Sequence, residues 1–341
     1  MGRMELDWGD VKTMRAKLLG WYRAQRRDLP WRRSRDPYFI WVSEIMLQQT
    51  RVAVVIDRFE SFTRRFPTVE ALASAEVPEV LSLWSGLGYY RRARMLHHAA
   101  KFVVSYYGGR VPETAEELRE LPGVGAYTAA AIASIAYGER VAVVDGNVER
   151  VVCRLAGWDE ASGAERRREI ATAAGALLDR EEPGDWNQAV MELGATVCLP
   201  RGPQCLVCPL AEGCRTRGEH KTLPRAAMVS REVGYALAVS GDKVLLEHRP
   251  ATETVMPGMW QLPVLREIEV PPEELLMTVR HAIMQVNYTV RVRSVGEAKL
   301  AKLTVNGGDR RWVRLDELAT LPLTGLARKV LLRAGWMTRT G

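Results

Sequence analysis

The chain has 341 residues, enough for two domains, and 47% of them are hydrophobic, so it can bury sizeable cores. A formal net charge of +7 and a pI of about 9.3 favour a polyanionic partner. Low-complexity tracts, obvious repeats, an apolar run of membrane-spanning length and an N-terminal signal-type segment are all missing, so a soluble cytoplasmic monomer with no membrane partner is expected.

Residues 1–220 read as helical. Asp36-Pro37 sets a cap before a first-turn proline and predicts a helix over 37–48. Within it, Ile40, Trp41 and Leu47 are the i−4, i−3 and i+3 neighbours of Glu44, which places a carboxylate on an apolar face. Burial there raises the pKa toward the range of a general acid. A structural glutamate paired with arginine is the other reading. Gly86 and Gly88 punctuate the next helices, and Thr114 with Glu117 forms a capping box.

Leu121-Pro122-Gly123-Val124-Gly125 reads as the turn of a helix-hairpin-helix. Gly123 and Gly125 let the backbone approach a phosphate, and the second helix offers free N–H groups at its positive end. Such a contact positions DNA without reading bases. An ordinary Gly-rich connection between core helices is the plainer alternative. The apolar run 141–144 then ends at Asp145, followed by Gly146-Asn147 and a helix. Asp145 is either a plain N-cap or a carboxylate held at a helix start and aimed into a cleft.

Cys198, Cys205, Cys208 and Cys214 follow in a C-x6-C-x2-C-x5-C spacing. Four thiolates from one tight loop suit a soft metal centre, including a 4Fe–4S cluster. The alternatives are structural zinc, although only Cys205 and Cys208 form a short hook, and two disulfides, which need an oxidising compartment. Arg201, Arg215, Arg217 and Lys221 flank the loop and suit a DNA backbone. Residues 221–232 read as a linker. Beyond it the texture changes to strands at 233–239, 243–248, 288–295 and 311–313, and Thr324 caps a final helix to about residue 333.

These motifs resemble a known family. The run Trp41-Val42-Ser43-Glu44-Ile45-Met46-Leu47-Gln48-Gln49-Thr50 is similar to a block of the MutY adenine DNA glycosylases, in the endonuclease III superfamily. Leu29-Pro30-Trp31-Arg32 and Leu83-Trp84-Ser85-Gly86-Leu87-Gly88-Tyr89-Tyr90 resemble two further blocks, in family order. The resemblance implies a helical helix-hairpin-helix catalytic domain with a 4Fe–4S loop over 1–220, the linker 221–232, and an α+β Nudix-like domain over 233–341. It implies removal of adenine opposite 8-oxoguanine or G in double-stranded DNA, in the cytoplasm and at the nucleoid of a prokaryote.

The same resemblance implies roles. Glu44 would protonate adenine at N7, and Asp145, oriented by Asn147, would stabilise or trap the sugar cation with overall retention. Tyr127 would support that intermediate. Trp31, Arg32, Leu47 and Gln188 would line the base pocket. Gln49, Thr50, Leu87 and Tyr89 would enter the duplex or contact the lesion, and Leu121, Gly123 and Gly125 would hold the DNA backbone. The endonuclease III branch carries a Schiff-base lysine where this chain has Tyr127, so a monofunctional glycosylase is expected.

Met256-Pro257-Gly258-Met259-Trp260-Gln261-Leu262-Pro263 resembles a segment of the Nudix-like domain, but the magnesium-binding glutamate helix of true Nudix hydrolases is missing. The family reads 8-oxoguanine through a Phe-Ser-His loop. Here His281 precedes Ile283-Met284-Gln285 at that place, and Gln285 can both donate and accept. Two other functions stay open from the sequence: a thymine or uracil mismatch glycosylase, and a catalytically silent iron–sulfur DNA sensor.

Overall fold

The computed structural model of the chain describes residues 8–159, 163–220, 227–250, 252–253, 255–283, 285–305 and 308–338. Lys221, Met284, the side chain of Ile283 and residues 221–226 of the expected linker lie outside that description. The helices in chain order are α1 Val11–Gln25, α2 Pro37–Leu47, α3 Val52–Arg65, α4 Val69–Ser74, α5 Val77–Leu83, α6 Arg91–Tyr107, α7 Ala115–Leu118, α8 Ala126–Tyr137, α9 Gly146–Ala156, α10 Ala164–Leu177 and α11 Pro183–Thr196. The strands β1 Val229–Leu237, β2 Val239–Ser240, β3 Lys243–His248, β4 Trp260–Gln261, β5 Leu275–Ile283, β6 Val286–Ser294 and β7 Arg310–Arg314 follow, with α12 Glu297–Leu303 and α13 Gly325–Arg333 between and after them. Among the described residues no helix is long and apolar enough to cross a membrane.

Contacts divide the chain into two units, Met1–Ala73 with His98–Pro224, and Ser74–His97 with Arg225–Gly341. The first is helical. Its central helices α2 and α8 are apolar nearly all round, with Ile40 to Met46 and Thr128 to Ile135 buried, as suits helices packed on every side. A second core joins α1, α9, α10 and α11, and Cys198, Cys208 and Cys214 pack against it. The capping box forms as the sequence predicts: Thr114 Oγ1 accepts from Glu117 N at 3.2 Å.

In the second unit β1 runs parallel to β6 and β5 pairs antiparallel with β6, while β3 pairs with β2, β4 and β7. Helix α13 buries Leu326, Val330 and Leu331 in one core, and Leu300 of α12 belongs to the other. Thr324 caps α13 as expected, accepting from Ala327 N at 3.3 Å. Two expectations change. Strand β1 begins at Val229, inside the segment read as linker, because it finds the edge of β6 to pair with. A single cut near residue 220 also misses Ser74–His97, which side-chain bonds fix to the sheet-bearing unit. Tyr90 Oη donates to Leu323 O at 3.2 Å, Arg94 Nη2 to Pro257 O at 2.9 Å, and Arg328 Nη1 to Ser85 Oγ at 3.0 Å.

Candidate active site

A cavity of about 780 Å³ opens in the helical unit between α2, α8, α11 and the start of α9. Helix α2 brings Glu44, only 6% exposed, to its wall. The helix starts where the sequence says it should, with Asp36 accepting from Tyr38 N at 2.8 Å and Pro37 in the first turn. From the first turn of α8, Tyr127 donates its hydroxyl to Glu44 Oε2 at 2.6 Å. Asp145 caps α9: its Oδ1 accepts from Asn147 N at 2.9 Å and Val148 N at 2.7 Å, and its Oδ2 accepts from Asn147 Nδ2 at 3.0 Å. Both carboxylate oxygens are engaged, so the plane of the group is fixed at the cavity wall. Asn147 is seated by close packing, since a Cβ on Gly194 of α11 would lie 2.6 Å from Asn147 Cβ.

Two glutamates in this one cavity are pushed in opposite directions. Burial raises the Glu44 pKa to about 7; the Tyr127 hydrogen bond and Arg32 oppose that rise, and the Asp145 charge adds to it. Burial, the charges of Glu44 and Asp145, and the bond to Glu44 hold Tyr127 well above its usual range, so it is a donor at neutral pH. Glu192 on α11 is 1% exposed, and burial alone would raise it too. Hydrogen bonds from Arg27 and Arg32 win instead and bring it down to about 2. Arg27 Nε lies 2.7 Å from Glu192 Oε1 and Arg27 Nη2 2.8 Å from Oε2, while Arg32 Nη2 reaches Oε2 at 2.8 Å. A pair of carboxyl groups driven apart in this way leaves one able to hold a proton near neutral pH and the other a fixed anion.

Trp31, Arg32, Leu47 and Gln188 line the cavity, as do Gln49 and Thr50. Gln49 is exposed and left-handed, with φ 55°. A glutamine there stores strain, the kind of outlier found at functional positions. In the hairpin, Gly123 with φ 80° makes the turn, and Gly125 sits at the N-cap of α8; both are exposed at the cavity rim. In the other unit Tyr89 is 38% exposed, also left-handed at φ 46°, with the Arg92 guanidinium 5.5 Å from its ring centre.

Three further expected site residues are placed as follows. Leu87 is 4% exposed, because an apolar side chain next to Trp84 finds core before solvent. Leu121 is 2% exposed, so its side chain packs in the core while its carbonyl accepts from Val124 N inside the hairpin turn. Tyr127, expected to support the sugar intermediate, donates its hydroxyl to Glu44. In the segment expected as a lesion loop, His281 and Ile283 end strand β5 and Gln285 occupies the turn into β6.

Sequence reasoning missed Arg27, Met191, Glu192 and Arg150. The helical spacing Gln188–Glu192 on α11 was the available signal, since i and i+4 share a face. Arg150 Nη2 donates to Asn147 Oδ1 at 2.8 Å and to Gly194 O at 2.6 Å, and its Nε donates to Cys198 O at 2.8 Å. Asp145, Asn147, Arg150 and Cys198 thus form a continuous hydrogen-bonded chain.

Cys198, Cys205, Cys208 and Cys214 line one small cavity. Arg154, 2% exposed, donates to Cys198 Sγ at 3.3 Å, to Leu199 O at 2.7 Å and to Pro200 O at 3.0 Å. Burial and the three neighbouring sulfurs push the Cys208 thiol up to about 11. Among the described residues no His, Cys, Asp or Glu set is gathered tightly enough to hold a single ion. Four thiols lining one space, with a buried guanidinium beside them, are a donor set of the kind that suits a soft metal centre.

Over residues 42–174 the chain matches the HhH-GPD superfamily of base excision DNA repair proteins. It is 46% identical over 221 residues to the adenine DNA glycosylase of Mycolicibacterium smegmatis, covering 64% of this chain and 74% of the relative. The chain belongs to the adenine DNA glycosylase family of that superfamily. Human adenine DNA glycosylase is 49% identical over 225 residues, which cover 62% of this chain and 40% of the human protein. The chain therefore spans less than half the length of that relative. A thermostable thymine-DNA glycosylase shares the helical fold with a TM-score of 0.54 at 30% identity, covering 61% of this chain and 96% of the other.

Proposed function

We propose that the protein is a monofunctional DNA glycosylase that removes adenine mispaired with 8-oxoguanine or G. The observation that carries this reading is the pairing of Glu44 with Tyr127 at 2.6 Å in the same cavity as the capped Asp145. A flipped adenine enters between Trp31, Leu47 and Gln188. Protonated Glu44 gives its proton to N7, the C1′–N9 bond breaks, and its electron pair leaves with the base. The Asp145 carboxylate meets the positive charge at C1′ and stabilises or traps it. Glu44, now ionised, takes a proton from the water that completes the sugar, so atoms and charge balance. Tyr127, an alcohol where the related lyases need an amine, leaves no Schiff-base route to strand cleavage.

Exposed Gly123 and Gly125 suit a backbone phosphate, and strained Gln49 and Tyr89 suit insertion beside the extruded base. Cys198, Cys205, Cys208 and Cys214 would hold a 4Fe–4S cluster, which supplies a rigid cross-link of the loop and a redox-active centre. The sheet-bearing part of the second unit is read as a Nudix-like lesion reader, with Gln285 in place of the family's histidine. Chromatography of free bases released from duplexes carrying 8-oxoguanine:A, G:A, G:T and G:U tests the whole reading. Adenine from the first two is expected. Release of thymine or uracil alone, or of no base, overturns it.

A further inference from the structure

Glu192 has no place in the steps above, yet it is the most tightly held side chain of the cavity. It is 1% exposed and accepts from Arg27 N at 3.1 Å as well as from both guanidiniums. Arg32 is 11% exposed in its side chain, lines the same cavity as Glu44, and acts on Glu44 as a cation that favours ionisation. The other ionisable groups that bear on Glu44 are Tyr127 from α8 and Asp145 at the start of α9; α3 contributes only Val52 to the cavity. Two cations and one anion, Arg27, Arg32 and Glu192, thus line the cavity that Glu44 and Asp145 also line.

We propose that Glu192 is a positioning residue for the acid step: by neutralising Arg27 and Arg32 it keeps positive charge from ionising Glu44 and so keeps the catalytic proton in place. The inference rests on the reading of Glu44 as the acid. Removing Glu192 leaves Arg32, which already favours ionisation of Glu44, and Arg27 in the same cavity without their anion, and an added positive charge near a carboxyl group lowers its pKa by about 1 unit or more. Removing Arg27 alone acts in the other direction.

The test is the pH dependence of the single-turnover rate of adenine release. In the wild-type protein the rate falls as pH rises through the Glu44 ionisation. Glu192→Gln is expected to move that fall about 1 pH unit lower, Arg27→Gln to move it higher, and the double variant to return it toward wild type. Arg27→Gln, which leaves Glu192 paired to Arg32, keeps the test open if Glu192→Gln does not fold. A uniform loss of rate with the fall unmoved in both variants makes Glu192 merely structural and overturns the inference. If the fall persists in Glu44→Gln, the reading of Glu44 is wrong and this inference goes with it.

Discussion

Asp145 and Glu44 sit in different surroundings, and each suits a different task. Asp145 has both oxygens engaged by backbone and Asn147 donors, which suits a fixed anion, whereas Glu44 has one hydroxyl donor and an apolar helix around it. Glu44→Gln and Asp145→Asn are each expected to slow adenine release by on the order of a hundredfold or more while sparing duplex binding. Single-turnover rates close to wild type in either variant would show that the wrong carboxylate has been assigned. A second consequence concerns stability. The folded-state pKa of Glu44 is raised to about 7, above the ordinary value of 4.5, so its stabilising contribution is complete below pH 4.5 and is lost as pH rises through about 7. Glu44→Gln should therefore be more stable than wild type at pH 8, by on the order of 3 kcal/mol in denaturant melts. Equal stabilities at pH 8 would mean that Glu44 is solvated. The apolar neighbours of Glu44 made its burial legible in the sequence. The guanidiniums that grip Glu192 were not, because they come from a segment some 160 residues away in the chain.

At the level of elements, local signals carried the helices and tertiary pairing carried what they missed. Caps at Asp36, Thr114, Asp145 and Thr324 all act at helix starts. Strand β3 matches its expected 243–248 because Lys243–His248 buries a continuous apolar stretch after a Gly turn. Strand β5 went unread: Leu276 is 48% exposed, so apolar residues sit on both of its faces and blur the period-2 pattern. Strand β4 and helix α12 are too short to announce themselves. The cysteine loop was legible as a unit from its spacing, and its four cysteines do line one cavity. Protein purified without oxygen is expected to be brown, to absorb near 400 nm and to carry about four irons per chain. Zinc in place of iron would refute the assignment. Cys153 is 1% exposed in the helical core and does not line the cavity of the four loop cysteines, so Cys153→Ser should keep the full iron content while lowering the melting temperature.

On the scale of the whole molecule, the chain splits into a helical unit that holds the candidate chemistry and a second unit in which Gln285 occupies the expected lesion-reading place. Resemblance located that place, but only the structure shows how Gln285 is presented. Its carbonyl accepts from Val229 N at 2.8 Å, which ties the β5–β6 turn to strand β1 and fixes the backbone from which the exposed side chain leaves. Gln285→Ala keeps that bond and removes only the amide, so it isolates the side chain's reading of the lesion. One buried hydrogen bond left unmade costs about 1–3 kcal/mol, which corresponds to roughly fivefold to 150-fold in affinity. The preference for 8-oxoguanine:A over G:A should fall by that factor and not vanish, because Gln49 and Tyr89 are untouched. The rate of bond cleavage once adenine is bound should stay unchanged, since Glu44 and Asp145 belong to the other unit. Affinity and single-turnover rate measured on both mispairs decide the matter. An unaltered ratio in the variant would leave this turn without that role and assign lesion discrimination to other residues, Gln49 and Tyr89 first among them.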